Sequence, residues 1–434
     1  MLLMENRENK IQIGLLGLGT VGGGVYRILT GNAENIERKV GAGLEIKKIL
    51  EKDTDKLRDL HIDLSKQTTN IEDIINDPEI KIVVEVLGRI NPTLDYVSRA
   101  LENGKSVVTA NKDMLATHGE LLFSLSEANH ADLLFEASVG GGIPIIGPLK
   151  QSLAANRITK IIGIINGTTN YMLTKMTEEG SDFTEVLQEA QAKGYAEADP
   201  TADIEGYDAA RKLAILASIA FNSRVVPDDV YVEGITKITA SDIAYAGELN
   251  YIVKLLAIAK ETDDGVEVRV HPTLIPRHHP LATVNDVYNA IFVTGDAVGD
   301  TMFYGQGAGE MPTASAVVSN IMDAARNLLH QVPGIISCTC YDEKPIKDMG
   351  ATQVKYYVRL NVTDEPGVLA SIAYALGDKK VSLASVLQKQ TDGNNAEIVL
   401  VTHKVYEKNM QEALTIIQNL SSVNEIANFI RVEE

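Results

Sequence analysis

A six-residue glycine pattern near the N-terminus constrains the fold of this chain more than any other feature. The sequence Gly17-Leu18-Gly19-Thr20-Val21-Gly22 follows the apolar run 11–16 and opens a helical pattern at 21–29. The first glycine permits a tight turn, the second lets a phosphate approach the backbone, and the third lets the helix pack closely on the strand. The loop also offers backbone N–H groups at the positive end of a helix dipole. The pattern therefore predicts a dinucleotide site at residues 17–22, although such turns also occur as plain structure.

Apolar runs alternate with helical patterns as far as residue 139, which is typical of a parallel sheet with crossover helices on both faces. The runs predicted as strands are 11–16, 44–50, 80–87, 106–109 and 132–139. We therefore predict a Rossmann-type, doubly wound parallel sheet in residues 1–139. From 140 to 315 long helices alternate with fewer strands, at 158–165, 266–275 and 288–293. This second pattern predicts a separate α+β domain.

Two further segments complete the chain. The helical pattern at 313–330 follows the second domain directly, so we expect it to return and pack against the first. With the stretch 333–349, which contains proline and glycine, it makes a returning helix and linker assigned to 316–354. Residues 355–434 are predicted as strand, helix, strand, strand, helix and strand, at 355–362, 368–379, 381–388, 396–402, 406–420 and 427–432. This order predicts a ferredoxin-like βαββαβ domain.

Composition excludes several classes of protein. The formal net charge of -19 opposes binding to nucleic acid, and no basic run offsets it. No segment approaches the roughly 20 apolar residues of a membrane span, and residues 1–10 are too polar for a signal peptide, so we expect a cytoplasmic protein without a membrane partner. The two cysteines, Cys338 and Cys340, lack the spacing of a zinc site, and we expect them to be reduced and buried.

The end of the second predicted strand bears on the choice of cofactor. Glu51 could accept a hydrogen bond from the ribose 2′-hydroxyl of NAD, whereas Lys52 could pair with the 2′-phosphate of NADP. The sequence leaves both open. Glu51 also lies further from the glycines than usual, so the first helix or the loop 30–43 must be extended.

A lysine follows the strand predicted at 106–109. Ligands of open α/β sheets bind beyond the carboxyl ends of the strands, and Lys112 comes just after this one. Its ammonium could donate to a carbonyl oxygen that gains negative charge near the nicotinamide. On this motif alone, a solvated lysine in a loop is the simpler alternative.

The segment 194–212 is the densest polar stretch of the second domain and leads into a helical pattern at 209–221. Asp208 and Lys212 are four residues apart and share one helix face, with Glu197 and Asp203 in the preceding loop. Three carboxylates and one amine could therefore converge on an α-amino acid, the carboxylates holding its ammonium and the lysine serving the reacting oxygen. A solvated acidic loop with one salt bridge is the alternative.

Two glycine-rich turns complete the candidates. Residues 136–144 contain three consecutive glycines, so backbone carbonyls could turn toward one point and, with the Glu136 carboxylate, hold a monovalent cation. A domain hinge is the alternative. The turn 305–309 offers another set of backbone donors before a helix, or serves only as a structural turn.

Taken in order, these motifs carry a family resemblance. The segments GLGTVG (17–22), TANK (109–112), EASVGGGIP (136–144), NGTTNYML (166–173), GYAEADPTAD (194–203), and GQGAG with PTASAVV (305–318) resemble homoserine dehydrogenase. The match runs from about 11 to 330. The last segment, with DEPGVL at 364–369, resembles an ACT domain, a regulatory module that binds amino acids.

The resemblance implies an enzyme that reversibly reduces L-aspartate 4-semialdehyde to L-homoserine with NADP or NAD, in the biosynthesis of threonine, methionine and isoleucine. It also implies a sodium or potassium ion, an amino-acid effector, most simply threonine, and a homodimer or homotetramer, with 140–315 as the catalytic and dimerisation domain. The family often carries arginine at the position of Lys52, which leaves the NADP preference open. The implied site residues are Gly17, Leu18, Gly19, Thr20, Val21, Gly22, Lys52, Thr109, Lys112 and Gly307 for the cofactor; Glu197, Asp203, Asp208 and Lys212 for the substrate; Lys212, Lys112 and Asp208 for catalysis; and Glu136, Val139, Gly141 and Ile143 for the cation.

Two other functions remain compatible with the sequence. One is a Rossmann-type dehydrogenase that acts on a different amino acid or oxo acid, which the acidic 197–212 segment disfavours. The other is a non-catalytic metabolite sensor, which the presence of Lys112, Glu197 and Lys212 disfavours. Which lysine donates the proton stays open.

Overall fold

The computed structural model describes residues 10–390 and 394–434 of the 434-residue chain. The strands, in chain order, are β1 (Lys10–Leu16), β2 (Gly43–Leu50), β3 (Gln67–Thr68), β4 (Ile80–Glu85), β5 (Ser106–Thr109), β6 (Leu133–Leu134), β7 (Ile158–Ile164), β8 (Tyr231–Val232), β9 (Tyr251–Thr262), β10 (Gly265–Pro276), β11 (Tyr288–Gly295), β12 (Gly299–Gln306), β13 (Gln353–Thr363), β14 (Leu383–Gln390), β15 (Asn395–Thr402), β16 (Val405–Tyr406) and β17 (Val423–Val432). The α-helices are α1 (Thr20–Gly31), α2 (Ala33–Val40), α3 (Thr54–Asp59), α4 (Glu72–Ile75), α5 (Thr93–Glu102), α6 (Lys112–Ala128), α7 (Gly167–Glu179), α8 (Phe183–Ala192), α9 (Thr201–Ile204), α10 (Tyr207–Ala220), α11 (Ala240–Glu248), α12 (Glu310–Leu329), α13 (Val368–Asp378) and α14 (Glu407–Gln418).

These elements form two compact units. The first comprises the described residues up to Ile158 together with Ala214–Pro227 and Thr294–Glu343. The second comprises Thr159–Leu213, Asp228–Val293 and Lys344–Glu434.

The first unit is built on a parallel sheet with the strand order β3-β2-β1-β4-β5-β6. This is the order of a doubly wound dinucleotide-binding sheet, with a crevice at the carboxyl ends of β1 and β4, where the strand order reverses. The predicted Rossmann-type sheet is confirmed. The expected extension of the first helical region is also present, because α2 lies between α1 and β2.

The strand predicted at 132–139 is shorter than the apolar run suggested. Strand β6 covers only Leu133–Leu134, and a 3-10 turn at Glu136–Ser138 replaces the rest of the expected 132–139 strand. The turn closes through the N–H and the hydroxyl of Ser138, which both donate to the Phe135 carbonyl, at 3.0 and 2.7 Å. These local bonds use the carbonyl that a longer strand would have paired with a neighbour.

Helix α12 returns to pack on the dinucleotide-binding sheet, as predicted. It begins at Glu310, three residues before the predicted start at 313, because Gly309 with φ +116° turns the chain into the helix. A Cβ on Gly24 of α1 would lie 2.8 Å from the Cβ of Ala314, so glycine allows the two helices to approach closely. Val317 and Ile321 of α12 are buried in the core cluster that β1 and α1 share.

The second unit contains a mixed sheet in the order β11-β7-β9-β10-β17-β13-β15-β14. Strands β9 and β10 form a long antiparallel hairpin. The C-terminal segment contributes β17-β13-β15-β14 with α13 and α14 packed over a core of its own, and this confirms the ferredoxin-like arrangement. Strand β17 also pairs in parallel with β10, Thr273 with Arg431 and Leu274 with Val432. One sheet therefore passes from the middle of the chain into the C-terminal domain.

Candidate active site

The glycine loop of the first unit has a separate steric reason for each glycine. Gly17 has φ +99°, which glycine tolerates best. A Cβ on Gly22 would lie 2.2 Å from the Gly17 carbonyl oxygen, so any residue larger than glycine would clash with the loop at the start of the helix. A Cβ on Gly19 would meet no protein atom within 4 Å. Gly19 is also the N-cap of α1 and makes no side-chain cap, which leaves this helix end open to an anion.

Glu51 holds the glycine loop from the end of β2. One carboxylate oxygen accepts from the Leu18 N–H at 3.1 Å and from the Lys56 ammonium at 3.0 Å. The other oxygen accepts from the backbone N–H groups of Lys52 and Asp53, at 2.9 and 3.1 Å. Although burial acts in the opposite direction, the Asp53 N–H and the Lys56 ammonium hold the pKa of Glu51 below its usual value. Glu51 therefore stays ionised with its oxygens fully used, while the side chain of Lys52 is exposed.

A buried carboxylate at the end of β4 organises the loop that carries Lys112. Glu85 is fully buried and accepts from the Leu87 N–H at 2.7 Å and from the Thr109 hydroxyl. The Thr109 oxygen in turn accepts from the Asn111 N–H at 3.0 Å. Burial raises the pKa of Glu85, against the hydrogen bonds from Thr109 and Leu87. This chain of bonds fixes the carboxyl end of β5, where Lys112 opens α6.

Asn111 caps α6 and ties it to the loop after β4. Its side-chain oxygen accepts from the Met114 N–H at 3.1 Å, and its amide nitrogen donates to the Arg89 carbonyl at 2.9 Å. Lys112 is half-buried in the first turn of this helix. The predicted position of Lys112, beyond a strand end of the parallel sheet, is therefore correct.

In the second unit, Asn166 is hydrogen-bonded to two carboxylates of the acidic segment. Its side-chain nitrogen donates to Asp203 at 2.7 Å and to Asp208 at 2.9 Å. The Lys212 ammonium donates to the same Asp208 oxygen at 2.6 Å and to the Ile165 carbonyl at 2.9 Å. Asp208 and Lys212 thus lie on one face of α10, as their spacing predicted, and two of the three N–H groups of Lys212 have these acceptors.

Asp203 and Glu197 differ in environment. Burial raises the pKa of Asp203 and the charge of Asp208 adds to the rise, whereas the Asn166 hydrogen bond opposes it. Glu197 is exposed, and its backbone carbonyl accepts from the Gln191 amide at 3.1 Å. Within the described part of the chain, the cluster around Asn166 joins two of the three expected carboxylates to the lysine and does not include Glu197.

Glu136 and the two glycine-rich turns lie together in the first unit. The Glu136 carboxylate accepts the N–H groups of Ile145, Ile146 and Gly147, at 2.5, 2.7 and 2.7 Å. These bonds occupy both of its oxygens, so the side chain is less suited to a cation than the sequence suggested. The backbone carbonyls of 136–143 remain as candidate oxygen ligands.

The second turn packs directly against the first. A Cβ on Gly141, which has φ +54°, would lie 2.3 Å from the Gly307 carbonyl oxygen, and the Gly142 N–H donates to the Gln306 carbonyl at 3.0 Å. Glycine at 141 is therefore needed for the two backbones to meet. Ile143 is buried in the same loop.

Two organising residues were not singled out from the sequence. Glu85 lies inside the run predicted as strand 80–87, where a lone carboxylate at the end of a buried strand was the available signal. Asn166 was noted only as part of the NGTTNYML motif, yet it caps α7 through the Thr169 N–H at 2.9 Å and binds two aspartates. An asparagine between a buried strand and a helix was the signal in that case.

The fold and these clusters define a class of protein. The chain has a Rossmann-type sheet with an open glycine loop and a lysine beyond a strand end. It also has a Lys–Asp–Asn cluster and a ferredoxin-like C-terminal domain. Together these features define a nicotinamide-dependent oxidoreductase with an attached regulatory domain.

Comparison with known proteins identifies the family. Residues 144–322 match the family model described as homoserine dehydrogenase, residues 17–136 match the homoserine dehydrogenase NAD binding domain, and residues 356–422 match the ACT domain. The chain is 44% identical to homoserine dehydrogenase of Bacillus subtilis, over 98% of each chain. It is 43% identical to that of Pseudomonas aeruginosa, over 98% of this chain and 99% of the relative.

Solved structures agree with these matches. The crystal structure of a homoserine dehydrogenase from Thiobacillus denitrificans superposes with a TM-score of 0.94 at 44% identity, covering 98% of this chain and 99% of that one. A hyperthermophilic archaeal homoserine dehydrogenase in complex with NADPH superposes with a TM-score of 0.62 at 28% identity, over 73% of this chain and 98% of that one.

The chain therefore belongs to the homoserine dehydrogenase family, and it is an NAD(P)-dependent oxidoreductase with a C-terminal ACT domain. Among the residues that the structure describes, no helix is long and apolar enough to cross a membrane.

Proposed function

We propose that Lys212 donates the proton to the reacting oxygen when L-aspartate 4-semialdehyde is reduced to L-homoserine. The observation that carries this is the double anchoring of its ammonium by Asp208 and the Ile165 carbonyl, at 2.6 and 2.9 Å. The third N–H of the ammonium can then point at a substrate oxygen. When bound, the nicotinamide supplies the hydride to the aldehyde carbon, and the alkoxide that forms needs a nearby cation and a proton.

The other site residues have supporting roles in this proposal. Asp208 orients Lys212, and Asp203 shares Asn166 with it. Glu197, whose side chain is exposed, binds the substrate ammonium. Lys112 lies on the side of the first unit proposed to bind the nicotinamide, and it is the alternative proton donor.

We propose NADP as the preferred cofactor. Each Glu51 oxygen already accepts two hydrogen bonds, which is about the capacity of a carboxylate, so none is left for a ribose 2′-hydroxyl. The exposed ammonium of Lys52, one residue later, is suited to a 2′-phosphate. The residues 17–22 at the open helix end, with Thr109 and Gly307 as further contacts, complete the proposed cofactor site. A structural relative was solved with NADPH.

We also propose a sodium or potassium site in the loop 136–143, with backbone oxygens of Glu136, Val139, Gly141 and Ile143 as ligands. Carbonyl oxygens are hard ligands, and the left-handed glycines give this loop a backbone path that turns sharply. No group of three or more His, Cys, Asp or Glu side chains in the described ranges offers a metal site, so the proposed ligands are backbone atoms.

The ACT domain is proposed to bind threonine and to pair with its counterpart in a homodimer or homotetramer. The turn 364–367 precedes α13, and Gly367 caps the helix with φ +95°. Pairing is supported by exposed apolar side chains on this domain, Leu369, Tyr374 and Val386, of which Tyr374 is 79% exposed.

Two wider proposals concern the chain as a whole. We propose that the chain consists of three domains in order, at 1–139, 140–315 and 355–434. Residues 316–354 connect the last two, and 140–315 is the catalytic and dimerisation domain. The unpaired thiols of Cys338 and Cys340 support a cytoplasmic location.

One assay tests the cofactor, the cation and the effector together. Homoserine oxidation is followed at the nicotinamide absorbance with NAD and NADP in parallel, with potassium, sodium or tetramethylammonium as the cation, and with or without threonine. We expect a higher kcat/KM with NADP, a clear loss of rate when tetramethylammonium replaces the alkali ion, and inhibition by threonine. Higher kcat/KM with NAD, full activity in tetramethylammonium, or no response to threonine would each remove the corresponding proposal.

Two glycines at opposite ends of α13, the N-cap Gly367 and Gly377 in the last turn, test the effector site in the full-length enzyme. We expect Gly367→Val to abolish threonine inhibition while basal turnover stays near the wild-type value, because a β-branched residue is strained at φ +95° and distorts the turn. The matched control is Gly377→Ala in the same helix, where a Cβ meets no atom within 4 Å. Gly367→Val with unchanged inhibition would place the effector elsewhere.

A further inference from the structure

The two cysteines, which we expected to be buried, are half-buried and line a small cavity in the first unit. The cavity has a volume of about 50 Å³ and is bordered by Cys338, Cys340, Lys150, Phe123 and Ser218. One water needs roughly 10–15 Å³ of such volume, so the cavity holds a few water-sized molecules. It therefore admits a small polar oxidant such as hydrogen peroxide and excludes a peptide-sized disulfide such as glutathione disulfide.

The backbone around Cys340 turns so that both sulfur atoms face this cavity. The Cys340 N–H donates to the Cys338 sulfur at 3.4 Å, and the Tyr341 N–H donates to the Thr339 carbonyl at 3.1 Å, which closes a tight turn. The Asn222 side chain donates to the same carbonyl at 3.1 Å and fixes the turn from a second segment. The Cys340 thiol contacts the Ser218 carbonyl at 3.7 Å. In a fully extended strand, residues two apart would lie near the upper limit for a disulfide, and the side-chain hydrogen bond between the two thiols shows that their sulfur atoms lie close together.

Charged groups around the cavity distinguish the two thiols. The thiol of Cys340, its backbone N–H and the Lys150 ammonium together lower the pKa of Cys338 to about 6, while a hydrogen bond to Cys338 and burial raise that of Cys340. Glu127 acts against the Cys338 thiolate, and Arg224 favours ionisation of Cys340. Burial lowers the pKa of Lys150, and the neighbouring sulfurs oppose this.

Lys150 is held in place independently of the cysteines. Its ammonium donates to the Ser337 carbonyl at 2.9 Å and lies 5.1 and 5.2 Å from the ring centres of Phe123 and Phe135. Such cation–π contacts favour the charged form of the lysine at a partly desolvated site. A fixed cation beside two thiols is the setting in which cysteine becomes a nucleophile at neutral pH.

We propose that Cys338 and Cys340 form an oxidisable dithiol, with Cys338 as the nucleophile toward hydrogen peroxide and Cys340 as the resolving thiol. The Cys338 thiolate attacks one peroxide oxygen, the O–O bond breaks, and the leaving hydroxide takes up a proton to give water and a Cys338 sulfenic acid. The Cys340 sulfur then attacks the Cys338 sulfur, the S–O bond breaks, and a second water leaves. The two thiols lose two electrons and two protons, and one peroxide becomes two waters.

The test uses the full-length protein treated with a small molar excess of hydrogen peroxide, then denatured and alkylated with N-ethylmaleimide. We expect the monomer to lose two hydrogen atoms by intact mass and to take up no maleimide, with both changes reversed by a reductant. In Cys340→Ser the sulfenic acid should persist and accept one dimedone, whereas Cys338→Ser should neither form the disulfide nor react with dimedone. Peroxide-treated wild type with two free thiols, or disulfide-linked chains on a non-reducing gel, would overturn the proposal.

Lysine variants separate the electrostatic role from a structural one. We expect Lys150→Met to slow alkylation of Cys338 by iodoacetamide by about fivefold near pH 6, because a rise of about one unit from a pKa of about 6 lowers the thiolate fraction by that factor, and Lys150→Arg to restore most of the rate. The control is Lys160→Met, which removes a lysine that lies 5.7 Å from the ring centre of Phe292 in the other unit. Faster alkylation of Cys340 than of Cys338 in the wild type would contradict the assignment.

Discussion

Replacement of Lys212 by methionine is expected to lower kcat for homoserine oxidation by about 100- to 10,000-fold, the range typical of a lost general acid or base. The reason is geometric. Asp208 and the Ile165 carbonyl accept two of the three N–H groups of the ammonium, so the third can point at the reacting oxygen of the substrate. Because methionine keeps the length of the side chain and removes the charge, the KM for NADP should change little.

The matched control for this variant is Lys175→Met. Lys175 and Glu179 also form an i,i+4 pair, at 2.6 Å on α7 of the same unit, and the pair has no proposed part in the reaction. Asp208→Asn should lower kcat in the same direction as Lys212→Met, because an amide replaces the carboxylate that orients the ammonium at 2.6 Å. Since Asp208 is buried and loses the Lys212 ammonium in Lys212→Met, thermal unfolding of each variant has to accompany the kinetics.

Kinetics of Lys112→Met complete this test. If Lys212→Met retains near-normal kcat and Lys112→Met does not, the proton donor is Lys112. If both variants turn over normally, neither lysine has the proposed role.

Alanine at Gly22 is expected to weaken cofactor binding by more than tenfold and to lower the free energy of unfolding by about 1–3 kcal/mol, the usual cost of overpacking. Its Cβ would lie 2.2 Å from the carbonyl oxygen of Gly17, so the loop must move away from the helix. That movement displaces the N–H groups proposed to bind the pyrophosphate. Titration of nicotinamide fluorescence and urea unfolding measure the two effects.

Gly31→Ala is the control, because Gly31 ends the same helix and a Cβ there meets no atom within 4 Å. Gly19→Ala adds a second comparison. Its Cβ would also meet no protein atom, so we expect normal stability with impaired cofactor binding. Wild-type affinity in both Gly19→Ala and Gly22→Ala would disprove the proposed phosphate site.

Features that depend on neighbouring residues could be predicted from the sequence. The glycine loop, the i,i+4 pair of Asp208 with Lys212 and the βαββαβ order of 355–434 all follow from short-range periodicity or from a compact motif. The shared face of Asp208 and Lys212 needed only the pitch of a helix.

Features that depend on long-range contacts could not be predicted from the sequence. Asn166 reaches Asp203 and Asp208 across 37 and 42 residues of chain, and no local pattern encodes that meeting. The run at 132–139 was apolar enough for a strand, yet its end forms a 3-10 turn, and the Glu136 carboxylate within it bonds to N–H groups 9 to 11 residues later. Likewise, hydrogen bonds to the loop occupy Glu51, although its position after β2 alone suggested a ribose ligand.

The parallel pairing of β17 with β10 limits how freely this sensor can be exchanged between enzymes. Cutting the chain before the ACT domain would expose the edge of β10 and remove Glu433, which pairs with the buried Arg269 and, at 2.7 Å, with Lys260. Arg269 would keep Glu267 at 2.6 Å but lose its second carboxylate, and a hydrogen bond to a charged group contributes about 1.5–3 kcal/mol. A graft of another sensor onto this enzyme would therefore have to supply a matching last strand and an acidic residue after it, and not merely a linker of the right length.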